Sequence, residues 1–381
     1  MTSADDQASA SLASLFPNGI MIVGTGLIGT SAGLALRERG VRVWLADRDP
    51  DVARLAASLG AGELPEEGTI PAGIGVDLAM LAVPPDVLPA VLAAAQSAGL
   101  ARYYTDVASV KASPLARIRA NGCDLTCYVP GHPLAGRERS GPAAARADLF
   151  EGRPWALCPL PETDPAAVAL VQSLVTGLGA EPVLTEASEH DRWVALVSHA
   201  PHLVASAMAA RLAAAPRGAL DLAGPGLRDV TRIAAGDTAL WTQILAANAA
   251  GVSEVLAQVA DDLKEAAAAL ANPTDEAVKE VSALLDTGVA GVARLPGKHG
   301  RPAASYAIVQ VVIPDEPGEL ALLFQAAGQA GVNIEDIRIE HSPGLPSGVA
   351  ELYVKPPAAG PLVQALTRRG WPDSTITTPT R

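Results

Sequence analysis

A doubly wound parallel α/β sheet, followed by an all-helical domain and a small α+β unit, is the fold class predicted for this chain of 381 residues. Three observations predict it. Short apolar runs that read as buried strands alternate with helical segments across residues 20–184. After Thr185 the strand signal disappears and Ala-rich helical periodicity takes over. Beyond the Gly- and Pro-containing stretch 297–302, a strand–helix–strand–strand–helix–strand pattern, βαββαβ, closes the chain. The hydrophobic share of 49% is enough for sizeable cores, and the length calls for two or three domains. The expected divisions are a disordered tail over 1–17, domains over 18–185 and 186–292, a linker over 293–304, and a last unit over 305–381.

The first element is Ile20-Met-Ile-Val23, four apolar residues expected as a central parallel strand. It runs into Gly24-Thr-Gly26-Leu27-Ile28-Gly29, and an apolar helix follows over 27–36. Glycines at these three positions allow, in turn, a tight turn, a phosphate close to bare backbone, and a helix packed close on its strand. Gly24, Gly26, Leu27, Ile28 and Gly29 are therefore candidates to hold a dinucleotide pyrophosphate at a helix N-terminus, in a Rossmann-type domain. A second strand, 41–46, ends in Asp47, placed to accept hydrogen bonds from ribose hydroxyls and to repel a 2′-phosphate. NAD is thus expected over NADP, which Arg48 leaves open.

A helix over 51–59 precedes the strand 76–83, whose end puts Val83 and Pro84 beside the cofactor path. A helix over 87–98 leads to a strand from Tyr103 that runs into a polar turn holding Ser109 and Lys111. Strands over 125–129, 155–158 and 181–184 follow, the last closing the sheet, with ligands expected at the carboxyl ends of its strands. In the helical half, Pro201 interrupts a helix over 187–213 and frees a carbonyl near Val197, so a kink is expected there. Further helices are expected over 224–233, 238–270 and 275–289.

Three polar clusters stand out from the Ala-rich background. Gly131-His132-Pro133 follows the strand 125–129, which puts His132 at the carboxyl edge of the sheet, where an imidazole suits a base for a hydroxyl proton. A turn-capping histidine is the alternative. Ser109 is placed to bond the same hydroxyl or a nicotinamide amide, while Lys111 equally suits a solvated or helix-capping charge. His199 and His202 lie three apart in the interrupted helix; the zinc-helix pattern needs a spacing of four with an adjacent Glu, so no metal is expected. Arg228 and Arg232 lie four apart, with Asp229 spaced to pair with Arg232 and fix a guanidinium for a carboxylate.

The net charge of −13 argues against a nucleic-acid partner, which needs a basic face. Cys123, Cys127 and Cys158 form neither a disulfide framework nor a zinc pattern and read as small apolar groups in a reducing compartment. The acidic start Met1-Thr-Ser-Ala-Asp-Asp and the glycines that punctuate the first apolar run argue against a signal or membrane segment, so a cytoplasmic location is expected.

Taken in order, Gly24 to Gly29, Asp106 to Lys111, His132 to Gly141 with Asp148-Leu-Phe150, Ser198 to His202, and Asp229 to Ala234 with Trp241 and Asn248 resemble the prephenate/arogenate dehydrogenase family of tyrosine biosynthesis. The stretches Asp315-Glu-Pro317-Gly318-Glu-Leu320 and Gly331-Val-Asn333-Ile334 resemble an ACT domain, a small amino-acid-sensing module. The resemblance implies an NAD-dependent oxidative decarboxylation of prephenate to 4-hydroxyphenylpyruvate, or of arogenate directly to tyrosine. By the match, His132 accepts the substrate hydroxyl's hydrogen bond with Ser109 helping, and Arg232 holds the ring carboxylate. Arg228, His202, Glu138 and Asp229 then line or gate the pocket; the family often has Lys where Arg228 stands. The resemblance also implies a homodimer built through the helical domain, and feedback by an amino acid, tyrosine first, at Asp315, Pro317, Gly318, Asn333 and Ile334. A β-hydroxyacid dehydrogenase or a non-catalytic amino-acid sensor would explain fewer of these features.

Overall fold

The computed structural model describes residues 12–65, 75–136, 139–295, 306–341 and 346–377, and the chain divides into two compact units, 1–265 and 266–381. In the first unit, β1 (Ile20–Val23), β2 (Val43–Ala46), β3 (Val76–Leu81), β4 (Ala101–Asp106) and β5 (Tyr128–Val129) form a parallel sheet in the order β2-β1-β3-β4-β5. Ile20 pairs with Val43 on one side and Leu78 on the other, so successive strands are added first to one side of β1 and then to the other, which opens a crevice at the carboxyl ends of β1 and β3. Both faces are covered. Ile20 and Ile22 join one core with Phe150 and Trp155, while Met21 joins a second with Leu88, Leu92 and Tyr128. The covering helices are α1 (Leu27–Glu38), α2 (Pro50–Ser58), α3 (Leu88–Ser97), α4 (Ala112–Ala120) and α5 (Pro165–Gly177).

Two expectations are corrected here. Residues 12–17 are not part of a disordered tail: 12–15 form a helical turn, and Leu12 and Phe16 are buried in the first core. Leu12 lies over Gly177, where a Cβ would stand 2.6 Å from its Cδ1. Burying two such side chains contributes roughly 1.5–3 kcal/mol each, enough to order a short segment beside a polar tail. The strand 181–184 does not close the parallel sheet. β6 (Gly131–Pro133), β7 (Pro154–Leu157) and β8 (Glu181–Leu184) make a separate sheet in which β6 runs antiparallel to β7. Pro130, which has no N–H for a ladder, separates β5 from β6 and accepts from the Cys158 N–H instead.

The helical part begins with α6 (Ala187–Val194), widens into a π-turn over Ala195–His199, and continues as α7 (Ala200–Leu212). The expected disturbance at Pro201 takes this form, because its ring excludes the ordinary bond to the preceding turn. The stretch Ala187–Leu212 is long and apolar enough to cross a membrane by length and composition alone. Yet it opens on the ionisable residues 189–192, and His190 and Asp191 are buried in hydrogen bonds to other elements. Then follow α8 (Arg217–Asp221), α9 (Pro225–Thr231), a 3-10 turn over Arg232–Ala235, α10 (Thr238–Ala247) and α11 (Ala249–Ala271). The single helix expected over 238–270 is interrupted at Asn248, whose side chain turns inward to hydrogen-bond.

In the second unit, α12 (Asp275–Ala293) has no buried residue and exposes Leu285, Val289 and Val292. The expected helical domain 186–292 is thus divided by packing within α11. The remaining elements are β9 (Ala307–Pro314), α13 (Glu319–Gln329), β10 (Asp336–His341), β11 (Ser347–Val354), α14 (Pro356–Arg368) and β12 (Thr375–Thr377), an antiparallel sheet in the order β10-β11-β9-β12. Burial alternates along β9 and β11, so one face packs on Leu323, Ala326, Leu362 and Leu366 of the two helices.

Candidate active site

The turn between β1 and α1 is built as its glycines require. Gly24 has φ +98°, and a Cβ on it would stand 2.2 Å from the Ala82 carbonyl oxygen; one on Gly29 would stand 2.0 Å from the Gly24 oxygen. Gly26 differs: nothing lies within 4 Å of where its Cβ would be, so its outer face is open. Gly26 caps α1 without a side-chain bond, and no acidic residue occupies the first turn, leaving the N–H groups of Leu27, Ile28 and Gly29 for an anion. Asp47 accepts from the Thr25 N–H (2.6 Å) and hydroxyl (3.0 Å), which ties the acidic end of β2 to the glycine turn. Val83 reaches the same turn, its Cγ1 3.2 Å from the Gly24 Cβ position, and Pro84 next to it is exposed. These residues fit a dinucleotide.

On the same carboxyl edge lies a buried ion pair that sequence reading left open as a solvated lysine. Lys111 is only 2% exposed, and its ammonium donates to the Asp106 carboxylate at 2.5 Å and to the Gly131 carbonyl. Asp106 also accepts from the Ala108 N–H (2.8 Å), the Tyr128 hydroxyl (2.6 Å) and the Gly131 N–H (3.3 Å). Burial, then the Asp106 charge, raises the Tyr128 pKa well above its usual value and keeps the phenol a donor. This network fixes β6 at the residue before His132. Lys111→Met is expected to cost about 3–5 kcal/mol of stability, because Asp106 is left charged in the interior. Chemical denaturation checks it, and a loss under about 1 kcal/mol would mean that the remaining donors suffice.

His132 is half-buried on β6, and its Nδ1 lies 2.9 Å from His190 Nε2; His190 Nδ1 in turn lies 2.8 Å from Asp191 Oδ1. Burial lowers the His132 pKa well below 6.5, helped by the neighbouring His190, Lys111 and His199, so the imidazole is neutral. Asp191 accepts from the backbone N–H groups of Lys111 and Ala112, at 2.8 Å each, and so caps α4. Its own carbonyl accepts from Asn248 Nδ2 (2.7 Å), which is also 3.1 Å from His199 Nδ1. His199 meets Trp241 edge-on, and His202 stacks on the same indole with ring centroids 3.6 Å apart. Next to them is Gly236, just after the 3-10 turn that begins with Arg232: a Cβ there would stand 2.6 Å from Trp241 Nε1 and 3.1 Å from His202 Cε1. A continuous chain of contacts therefore runs from His132 to the segment carrying Arg232.

Burial takes the His199 pKa down to about 4 from 6.5 and also lowers that of His202. Imidazoles buried neutral bind protons more readily when unfolded. Stability should thus be full above about pH 6.5 and fall as the pH drops towards about 4, by on the order of 3 kcal/mol for His199, as thermal melts across that window would record.

Several expected residues sit differently. Arg228, Asp229 and Arg232 are exposed, with α9 ending at Thr231, so that Asp229 lies in that helix and Arg232 begins the 3-10 turn after it. Ser109 is half-buried in the turn after β4. Glu138 lies outside the described residues. In the second unit, Gly318 begins α13 with φ +100°, and Asp315 and Pro317 stand in the turn before it. Asn333 and Ile334 follow the other end of that helix, and Asn333 donates to Glu335. Eleven helical residues, about 16 Å, separate the two groups, so one copy of the unit does not bring them into a single site. The contacts of His190 and Asp191 with this site and the burial of Lys111 are features that sequence reasoning missed; the signal available was an adjacent His-Asp pair early in a helix.

Comparison with known proteins places these features in a family. Residues 32–184 match the family described as prephenate dehydrogenase, nucleotide-binding domain, and residues 186–284 match prephenate dehydrogenase, dimerization domain. The chain is similar to the probable prephenate dehydrogenase NovF of Streptomyces niveus, with 42% identity over 360 residues, covering 92% of this chain and 98% of that protein. It is 32% identical to the cyclohexadienyl dehydrogenase of Zymomonas mobilis over 59% of this chain and 79% of that one. Among solved structures, the prephenate dehydrogenase of A. aeolicus in complex with hydroxyphenyl propionate and NAD+ superposes with a TM-score of 0.64 at 26% identity, over 72% of this chain and 96% of that one. With both domains matched in order and a relative aligned over nearly its whole length, the chain belongs to the prephenate dehydrogenase family of NAD-dependent oxidoreductases.

Proposed function

We propose that this chain oxidises prephenate to 4-hydroxyphenylpyruvate with loss of carbon dioxide, using NAD. The observation that carries this reading is the half-buried His132 just past the carboxyl end of β5, the end of the parallel sheet at which the glycine turn also opens. NAD, when bound, supplies the hydride acceptor. Its pyrophosphate is assigned to Gly24, Gly26, Leu27, Ile28 and Gly29, its ribose to Asp47, with Val83 and Pro84 along its path; the Asp47 carboxylate disfavours a 2′-phosphate and hence NADP.

His132 accepts the hydrogen bond of the substrate hydroxyl and draws electron density towards the carbon that loses hydride, with Ser109 holding the same group in place. Arg232 holds the ring carboxylate until it leaves, with Arg228, Asp229, His202 and Glu138 around the pocket. The ring becomes aromatic in the process. Alignment and a proton acceptor are then most of what the protein must provide.

Arogenate is the second reading, favoured by the Zymomonas relative being named for cyclohexadienyl substrates in general. Steady-state kinetics with each substrate, and with NAD and NADP, tests both: prephenate with NAD is expected to give the highest kcat/KM. Activity on a β-hydroxy acid and on neither cyclohexadiene would overturn the proposal.

The domain assignment follows: 18–185 for the dinucleotide, 186–292 for substrate groups and a homodimer contact, 305–381 for regulation. Leu263 and Leu270 of α11 and Leu285 and Val289 of α12 expose apolar surface suited to a second copy. The C-terminal βαββαβ unit is assigned as an ACT domain that binds tyrosine where Asp315, Pro317 and Gly318 of one copy meet Asn333 and Ile334 of another. Tyrosine should inhibit the enzyme and raise its melting temperature; no change in either would remove this role. The reading as a cytoplasmic enzyme accompanies these assignments.

A further inference from the structure

We propose that His190 and Asp191 are positioning residues that lock His132 in the tautomer protonated on Nδ1, leaving the Nε2 lone pair to the substrate hydroxyl. The inference rests on the role given to His132 above, and its logic is one of donors and acceptors. Asp191 is 6% exposed and its two oxygens already accept the Lys111 and Ala112 N–H groups at the start of α4. A carboxylate only accepts, so the His190 nitrogen 2.8 Å from it carries a proton. On a neutral His190 the Nε2 offers only a lone pair, to which the His132 nitrogen 2.9 Å away donates. Nε2 of His132 is the nitrogen that remains.

The His132 and His190 rings are steeply inclined, 74° apart with centroids 5.1 Å apart, so they do not stack. The charged or titratable groups facing the pair are Lys111, Asp191 and His199, with Asp106 neutralising the Lys111 ammonium. As positive charge builds on His132 during turnover, the line His132–His190–Asp191 leads it towards a carboxylate. The competing arrangement is a cationic His190 that donates to His132 Nδ1. It would put the His132 proton on Nε2 and turn the proposed acceptor into a donor.

Two measurements on the full-length enzyme decide between them. The ring-nitrogen NMR spectrum of enzyme carrying ¹⁵N in its six histidines, with His132 assigned by the spectrum of His132→Asn, should show His132 protonated on Nδ1. A proton on Nε2 overturns the proposal even if no variant at 190 folds. In kinetics with NAD and prephenate, or arogenate if that is the substrate turned over, His190→Leu should lower kcat by about 10–100-fold and leave KM within about 3-fold. His190→Gln, whose amide oxygen can accept the Nδ1 proton, should recover most of that loss. Wild-type kcat in His190→Leu, or equal losses in the two variants with unchanged melting, would overturn the proposal. Wild-type turnover in His132→Asn would remove the underlying role of His132, which is distinguishable because the resting tautomer is read without catalysis.

Discussion

His132→Asn is expected to reduce kcat by about 100- to 10,000-fold while KM for the substrate changes by only a few fold. Asn keeps a polar side chain of similar reach at the same point of β6, and the Lys111–Asp106 network that fixes the preceding residue is untouched. What is lost is the basic nitrogen. Hydride transfer from a carbon bearing a hydroxyl needs that oxygen to become more electron-rich as the hydride departs, and an amide is too weak an acceptor for it. The pH dependence gives the same test another form. Burial and the neighbouring His190, Lys111 and His199 hold the His132 pKa well below 6.5, so the competent neutral form persists as the solution is acidified. The kcat/KM of the wild-type enzyme should therefore stay level through pH 6.5 and decline only well below it, while His132→Asn should show a low rate without that limb. A decline centred at 6.5 would mean an imidazole exposed to water in the working enzyme.

Arg232→Gln is expected to raise KM by about 30- to 1,000-fold, a loss of roughly 2–4 kcal/mol in substrate binding, with a smaller effect on kcat. A guanidinium presents two parallel N–H donors to a carboxylate and carries the countercharge, whereas Gln offers one neutral donor. Arg232 begins the 3-10 turn that packs through Gly236 against His202 and Trp241, so the backbone under it is held by the same aromatic stack that leads back to His132. Unchanged KM, measured with saturating NAD, would remove Arg232 from the substrate site and leave Arg228, four residues before it, as the alternative cation.

Much of the cofactor half was legible from local chemistry. The three glycines, the apolar strand before them and the acid at the end of the next strand occupy one short stretch of chain, and each has a reason that involves only its neighbours. That His132 follows the end of β5 was legible for the same reason, whereas its place on a strand of a second sheet was not. Nor was the segment 186–192. Within Glu189-His190-Asp191-Arg192 no local pattern separates the residues: Glu189 and Arg192 pair on the surface. His190 and Asp191 point the other way, into the protein, because adjacent helix positions face different directions and a partner waits on each side.

What the amino-acid order determined by itself is the alternation of elements, the dinucleotide turn and the residue types able to do the chemistry, because these depend on side-chain period and local backbone freedom. What only the tertiary structure decided is which charges are buried and what they touch. Lys111 became an interior counter-ion to Asp106, Pro130 sent the chain into a second sheet, and an imidazole fifty-eight residues away came within hydrogen-bond distance of His132. The physical reason is that burial and hydrogen-bond partnership are properties of the folded surroundings, and a buried polar group persists only where distant parts of the chain supply its partners.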